Sequence, residues 1–313
     1  MINELKDPRM TFGAAVTEVA ATNNNVIVLS ADSSSGSGMG EFKKRYPDRH
    51  FEFGIMEQGV TGFASGLATT GKIPVFAAIA PFVTARNFEM FRNDLGYMNQ
   101  NVKIVGRSAG LTYDQLGSTH HSIDDVAIIR TIPGVTVINP GDPVTIRKAV
   151  HAMIRHVGPC YMKIGNPPMP VLYDEDIEFK LGKGIVIQEG HDVTLIGTGT
   201  VLSKAVAAAR LLEEAGVSVF LIDMHTVKPL DRDLVLAAAK RTGKIVTVEE
   251  HYVAGGLGSA IAELTSREYP VRMKMIGLED CYASNGPYEE LLEKYGFQPV
   301  QIRDTVIKFL NNK

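Results

Sequence analysis

The sequence lacks the features that would place it in a secreted, membrane-spanning or metal-stapled class. Only two of its 313 residues are cysteine, Cys160 and Cys281. They stand far apart and in no metal-ligand spacing, which argues against a disulfide framework and for reduced thiols in a cytoplasmic protein. The first nine residues are charged and carry no apolar h-region, so no signal peptide is expected. Apolar runs are strand-length or interrupted, so no bilayer span is expected either. No repeat of solenoid period and no low-complexity tract occur. A net charge of -3 with 21% charged residues leaves no basic footprint for nucleic acid or an anionic membrane. Catalytic signatures are missing too. There is no Gly-x-Ser-x-Gly elbow and no Gly-x-x-x-x-Gly-Lys-Ser/Thr loop, and Gly255-Gly256-x-Gly258 is an incomplete dinucleotide fingerprint that reads better as a tight strand-to-helix turn.

What is present is a chain with 45% apolar residues, long enough for two cores. Short Val- and Ile-rich runs alternate with helical patterns, which predicts an α/β fold of two domains, each with a mainly parallel sheet flanked by helices. Strands are expected over 25–31, 74–80, 101–107, 135–139 and 161–164, and helices over 11–22, 57–70, 86–98 and 142–156. The last opens with Asp142 as N-cap and Pro143 at the first helical position. Prolines and acids then break the pattern. A second series follows, with strands over 193–197, 217–223, 244–249 and 271–276 and closing helices over 287–295 and 299–310. The division reads as 1–166, a linker 167–190, and 191–313.

Ligands of open parallel sheets bind beyond the carboxyl ends of the strands, so the segments there carry the candidates. Asp32 opens a polar loop, Asp32-Ser33-Ser34-Ser35-Gly36-Ser37-Gly38, which by itself is equally a solvated surface loop. Glu57 starts a helix of small, apolar residues. It either complements the helix dipole, worth roughly 0.3–1 kcal/mol, or is a carboxylate in an apolar surround where a strong hydrogen bond to a ligand nitrogen is valuable. His120 and His121 share a loop with Ser118 and Thr119 but have no third ligand at metal spacing, so a zinc site is not expected. A polar substrate pocket or a solvated loop remains.

Taken together, Ser30-Ala31-Asp32, Phe53-Gly54-Ile55-Met56-Glu57-Gln58, Pro81-Phe82-Val83, Ala109-Gly110-Leu111-Thr112, Gly117-Ser118-Thr119-His120 and Asn139-Pro140-Gly141-Asp142 resemble the pyrimidine-binding domain of transketolases. Glu249-Glu250-His251 and Gly255-Gly256-Leu257-Gly258 resemble the C-terminal domain of the same family. The resemblance spans essentially the whole chain. It implies thiamine diphosphate as cofactor, with Glu57 hydrogen-bonding the aminopyrimidine and favouring its imino form, Phe82 stacking on that ring, and Asp32 and Ile55 beside it. His120 is the implied catalytic histidine; Arg9, Ser108, His120 and Asn166 are the implied sugar-binding positions. It also implies a two-carbon ketol transfer between sugars, the cofactor acting as electron sink.

The family's Gly-Asp-Gly and downstream Asn, which hold the diphosphate through Mg or Ca, are absent, Gly141-Asp142 being followed by Pro143. The expectation is therefore a C-terminal-type subunit of a split enzyme, paired with an N-terminal-type subunit in a two-plus-two heterotetramer. The sequence departs from the family elsewhere. Leu116 replaces an aspartate near the donor sugar, Ser108 a histidine and Asn166 an arginine of the sugar-phosphate pocket, with Arg107 and Lys163 available as replacement charge. A sulfonated, branched or unphosphorylated sugar is the expected substrate. The alternatives are a deoxyxylulose phosphate synthase-like protein, a 2-oxo acid dehydrogenase beta-subunit, or a non-catalytic scaffold partner.

Overall fold

A computed structural model describes residues 4–312; residues 1–3, the start of the charged N-terminal stretch, and residue 313 lie outside the described residues. Its strands, in chain order, are β1 (Leu5–Lys6), β2 (Val26–Ser30), β3 (His50–Glu52), β4 (Ile73–Ile79), β5 (Lys103–Arg107), β6 (Thr136–Ile138), β7 (Cys160–Lys163), β8 (Met169–Pro170), β9 (Ile185–Gln188), β10 (Val193–Gly197), β11 (Val219–Asp223), β12 (Thr226–Lys228), β13 (Lys244–Tyr252) and β14 (Arg272–Leu278). They form a seven-stranded sheet ordered β12-β6-β7-β5-β4-β2-β3, a five-stranded sheet ordered β14-β13-β10-β11-β9, and a ribbon of β1 with β8. In the first sheet β6, β7, β5, β4, β2 and β3 all run parallel. In the second, β14, β13, β10 and β11 do. Strands such as β2, β5, β10 and β11 are buried at every position, as helices on both faces require, and that is why they read as unbroken apolar runs.

The expected helices form with local chemistry visible in the chain. Asp142 caps Pro143–Arg155, its side chain accepting from the Thr145 N–H at 2.6 Å, and Asp231 caps Arg232–Thr242 in the same way. The helix expected over 86–98 forms differently. A single turn, Phe88–Met90, gives way to a π-helix, Phe91–Tyr97, whose end is marked by the Met98 N–H donating to the Asn93 carbonyl at 3.2 Å. The segment 167–190 is extended but tied down. β8 pairs with β1, Leu172 and Tyr173 donate backbone N–H groups to Asp142 Oδ2 at 3.1 and 3.3 Å, and β9 is the antiparallel edge of the second sheet. β12 leaves the second half to close the edge of the first sheet beside β6.

In the first sheet the chain passes from β2 to β3 on one side and then returns to β4 on the other. The loops after β2 and β4 therefore diverge, and a crevice opens between their carboxyl ends. In the second sheet the corresponding reversal lies between β10 and β13, but the first domain fills its mouth. Thr198 Oγ1 and the Gly199 N–H both donate to the Asn139 carbonyl at 3.1 Å, and Glu250 accepts from the Leu111 N–H. One crevice is open and the other is plugged.

Candidate active site

The open crevice assembles from four strand ends. After β2, Asp32 takes a left-handed φ of 51° and donates its N–H to Glu52 Oε1 at 2.7 Å, which leaves its own carboxylate exposed. After β3, Gly54, with a φ of 71°, turns the chain so that Glu57 becomes the first residue of the helix Glu57–Ala68. Glu57 is only 5% exposed, and its Oε2 accepts from Arg86 Nη1 at 3.0 Å. After β4, the turn Ala80–Val83 presents Phe82, and the Arg86 guanidinium lies 3.8 Å from the centroid of its ring. After β5, the loop returns His120, whose ring packs against Phe82 at 5.3 Å and Tyr113 at 5.4 Å between centroids.

Glu57, Phe82 and His120 therefore share one pocket, in which Arg86 and Tyr113 also stand. The two additional residues went unnoticed in the sequence, although Arg86 lies four positions beyond Phe82, a spacing at which side chains meet along a helical turn. His121 points elsewhere: it is buried, donates Nε2–H to the Asp114 carbonyl at 3.1 Å, and burial lowers its pKa. Ile55, two residues before Glu57, is 75% exposed, and Asp32 is exposed just beyond the end of β2. Leu116 is exposed on the β5 loop.

A second group sits deeper, at the ends of β5 and β7. Ser108, buried and with a left-handed φ of 54°, donates its hydroxyl to Asn166 Oδ1 at 3.3 Å and accepts from Arg107 Nη1 at 3.2 Å. Arg9 comes close enough to act on Arg107 electrostatically, while forming a two-pronged pair with Asp7 at 2.7 and 3.1 Å. Lys163 does not belong to this group. Its ammonium pairs with Asp125 at 2.8 Å, and both are buried. The charge expected from it is spent on Asp125 inside the first domain, and its one link across to the second is a hydrogen bond to the Glu250 carbonyl at 3.2 Å.

The donor set suits half of thiamine diphosphate. A sheltered carboxylate beside an aromatic face can hold a planar, nitrogen-bearing ring. No group of three or more His, Cys, Asp or Glu among the described residues is arranged to hold a metal ion, and no helix among them is long and apolar enough to cross a membrane.

The fold and site are those of an α/β protein with a ligand crevice beyond its strand ends. Residues 6–165 match the family model of the transketolase pyrimidine binding domain, and residues 182–302 that of the transketolase C-terminal domain. The chain is 35% identical over 311 residues to one of the subunits of the apulose-4-phosphate transketolase of Phocaeicola vulgatus, covering 99% of both chains. It is 36% identical over 294 residues to the 6-deoxy-6-sulfo-D-fructose transketolase subunit SqwH of a Clostridium species, covering 94% of this chain and 91% of that one. A solved structure of a split gene transketolase, an inactive beta4 tetramer, superposes with a TM-score of 0.91 at 38% identity, over 97% of this chain and 98% of that one. The chain belongs to the transketolase family, as a subunit that carries its pyrimidine-binding and C-terminal domains.

Proposed function

We propose that this chain is the pyrimidine-activating subunit of a two-subunit, thiamine diphosphate-dependent ketol transferase acting on a sugar other than the common pentose phosphates. The observation that carries the reading is the sheltered Glu57 carboxylate facing a pocket with Phe82 and His120, in a chain whose relatives of similar length are named as transketolase subunits. When bound, thiamine diphosphate supplies the electron sink for carbon–carbon cleavage. This chain's part is to hold the aminopyrimidine on Phe82, to keep a carboxylate at its ring nitrogen through Glu57, and to offer His120 to the sugar hydroxyls. Asp32 and Ile55 would border the ring, and Arg9, Ser108 and Asn166 the distal end of the sugar.

An N-terminal-type subunit would bring the diphosphate site with Mg or Ca, in a two-plus-two heterotetramer. The neighbouring inactive beta4 tetramer supports that division. So does the exposed apolar surface: Ile55 and Met56 stand where the helix Glu57–Ala68 leaves the crevice, and Phe63, Tyr97 and Met98 are exposed further along that helix and at the end of the π-helix beside it, the two segments being tied by Ser65, which donates to the Asp94 carbonyl at 2.9 Å. Large apolar groups left exposed along one face mark a surface that another chain covers. The two relatives are named for apulose-4-phosphate and 6-deoxy-6-sulfo-D-fructose, which supports a branched or sulfonated substrate. Both cysteines are free thiols, which suits a cytoplasmic setting.

Calorimetry with thiamine diphosphate and magnesium tests the reading, first on this chain alone and then on its mixture with the N-terminal-type partner. Binding is expected only in the mixture, and Glu57→Ala in that mixture is expected to turn over no ketose. Tight binding by the chain alone would overturn the shared-site account.

A further inference from the structure

A second cleft lies where the two domains join, at the edge of the first sheet away from the crevice. The crevice opens beyond the carboxyl ends of the parallel strands, whereas β12 runs antiparallel to β6 and carries Lys228 toward the amino end of that strand. There Arg130, the last residue of the helix Asp125–Arg130, meets Lys228 and the helices Arg232–Thr242 and Leu257–Glu268. The space between them measures about 520 Å³, within the roughly 300–1,000 Å³ of pockets that take small organic ligands.

Its charges are unequal. Arg130, Lys228, Arg232 and Arg267 line it, against Glu263 and Glu268. Both acids are engaged: Arg130 donates to both oxygens of Glu263, and Arg232 pairs with Glu268. Arg267 acts on Glu263 through space but forms no ion pair among the described residues. Lys228 has no carboxylate among them either. Its half-buried ammonium donates to the Arg130 carbonyl at 2.9 Å and to the Ile132 carbonyl, which leaves one of its three donors free. Burial, and then the Arg130 charge, push its pKa down, as befits a cation short of negative charge. Val227 and Leu264 are buried and Arg232 and Arg267 exposed, so the inner wall is apolar and the mouth is basic. Two unmatched cations beside an apolar wall suit a dianion carried on an organic body.

We propose that this cleft binds a nucleoside monophosphate, with its phosphate dianion held by Lys228 and Arg267 and its base against the apolar wall. A bare phosphate would use the charge and leave that wall empty, and the polar body of a sugar phosphate would gain nothing from it. A planar base gains both from the wall and from the guanidinium groups at the mouth, which stack on flat rings. Because the lining comes from both domains, the ligand ties them together. The site is separate from the crevice and does not depend on the reaction assigned there.

Calorimetry and thermal shift on the full chain with AMP, inorganic phosphate and adenosine test this. AMP should bind and raise Tm, inorganic phosphate should bind more weakly, and adenosine should give neither signal. Arg267→Glu, at an exposed helix position, should keep the ligand-free Tm and weaken AMP binding about tenfold, since an attraction becomes a repulsion. Lys228→Gln should weaken it about 10- to 100-fold; if that variant does not fold, Arg267→Glu decides alone. In the complex with the N-terminal-type partner, saturated with thiamine diphosphate, AMP should bind with the same affinity, because the crevice is then filled and the cleft lies elsewhere. No AMP binding by the wild type, undiminished binding in Arg267→Glu, or adenosine binding as tightly as AMP would overturn the proposal. So would loss of binding in the complex, by showing that another chain covers the cleft. Inorganic phosphate matching AMP would overturn the part given to the base.

Discussion

At the scale of single residues, the pocket turns on how Glu57 is held. A carboxylate at a helix start gains from the dipole alone, but here it also meets the Arg86 guanidinium, which stacks on Phe82 at the same time. Arg86 thus fixes the distance between acid and aromatic ring. It is 43% exposed, so the pair is partly screened and worth less than a buried one. Arg86→Ala is expected to weaken thiamine diphosphate binding in the two-subunit enzyme by about 3- to 10-fold, with Arg86→Lys recovering part of the loss. Calorimetry on the complex measures this, and unchanged affinity in Arg86→Ala would remove Arg86 from the site. Gly110 is constrained in another way: its φ is 67° and the Glu250 carboxylate occupies the space a Cβ would need. Substituting it would push the β5 loop off the second domain.

At the scale of elements, one side chain organises a helix and a connection together. Asp142 Oδ1 caps Pro143–Arg155, and Oδ2 receives the backbone of Leu172 and Tyr173. The cap was legible from Asp142-Pro143. The second use was not, because it joins groups 30 and 31 positions apart. An N-cap is worth about 1 kcal/mol, and leaving two further amides unmatched adds roughly the same for each. Asp142→Ala is therefore expected to lower unfolding free energy by about 2–4 kcal/mol in urea denaturation. A loss no larger than an ordinary cap would show that water replaces it at Leu172 and Tyr173. The π-helix at Phe91–Tyr97 was equally hidden, since the apolar pattern of 86–98 does not distinguish i+4 from i+5 closure.

At the scale of the whole molecule, the two domains are joined by polar groups that must be satisfied in the absence of water. Glu250 binds the Leu111 N–H of the first domain and the Tyr288 hydroxyl of the second, the latter at 2.8 Å. His251 accepts the Ala127 N–H on Nε2 at 3.2 Å and donates Nδ1–H to the Tyr252 carbonyl at 2.7 Å, an arrangement that only the neutral ring can make. Burial holds its pKa down to about 4, from 6.5. The depressed folded value means that its contribution is complete above pH 6.5 and is lost as the pH falls from 6.5 through 4, by about 3 kcal/mol. Asp223, pushed up to about 8 by burial, works in the opposite direction, its stabilisation being lost as the pH rises from its ordinary carboxylate value through 8. The test is therefore the difference between wild type and His251→Gln. That difference should narrow by about 3 kcal/mol between pH 6.5 and 4 in denaturant unfolding; a constant difference would mean that the interface stays closed around a charged imidazole.

The class of fold, the order of most strands and helices, and the candidates Glu57, Phe82 and His120 were all readable in the order of amino acids, because buried parallel strands and strand-end loops leave their mark in local composition and spacing. It took the folded chain to establish that β12 closes the first sheet, that the second crevice is plugged, that Lys163 is consumed by Asp125, and that Arg86 joins Glu57 to Phe82. Those outcomes depend on which distant groups a buried charge or amide finds when water is removed, and that choice is made between segments far apart in the chain.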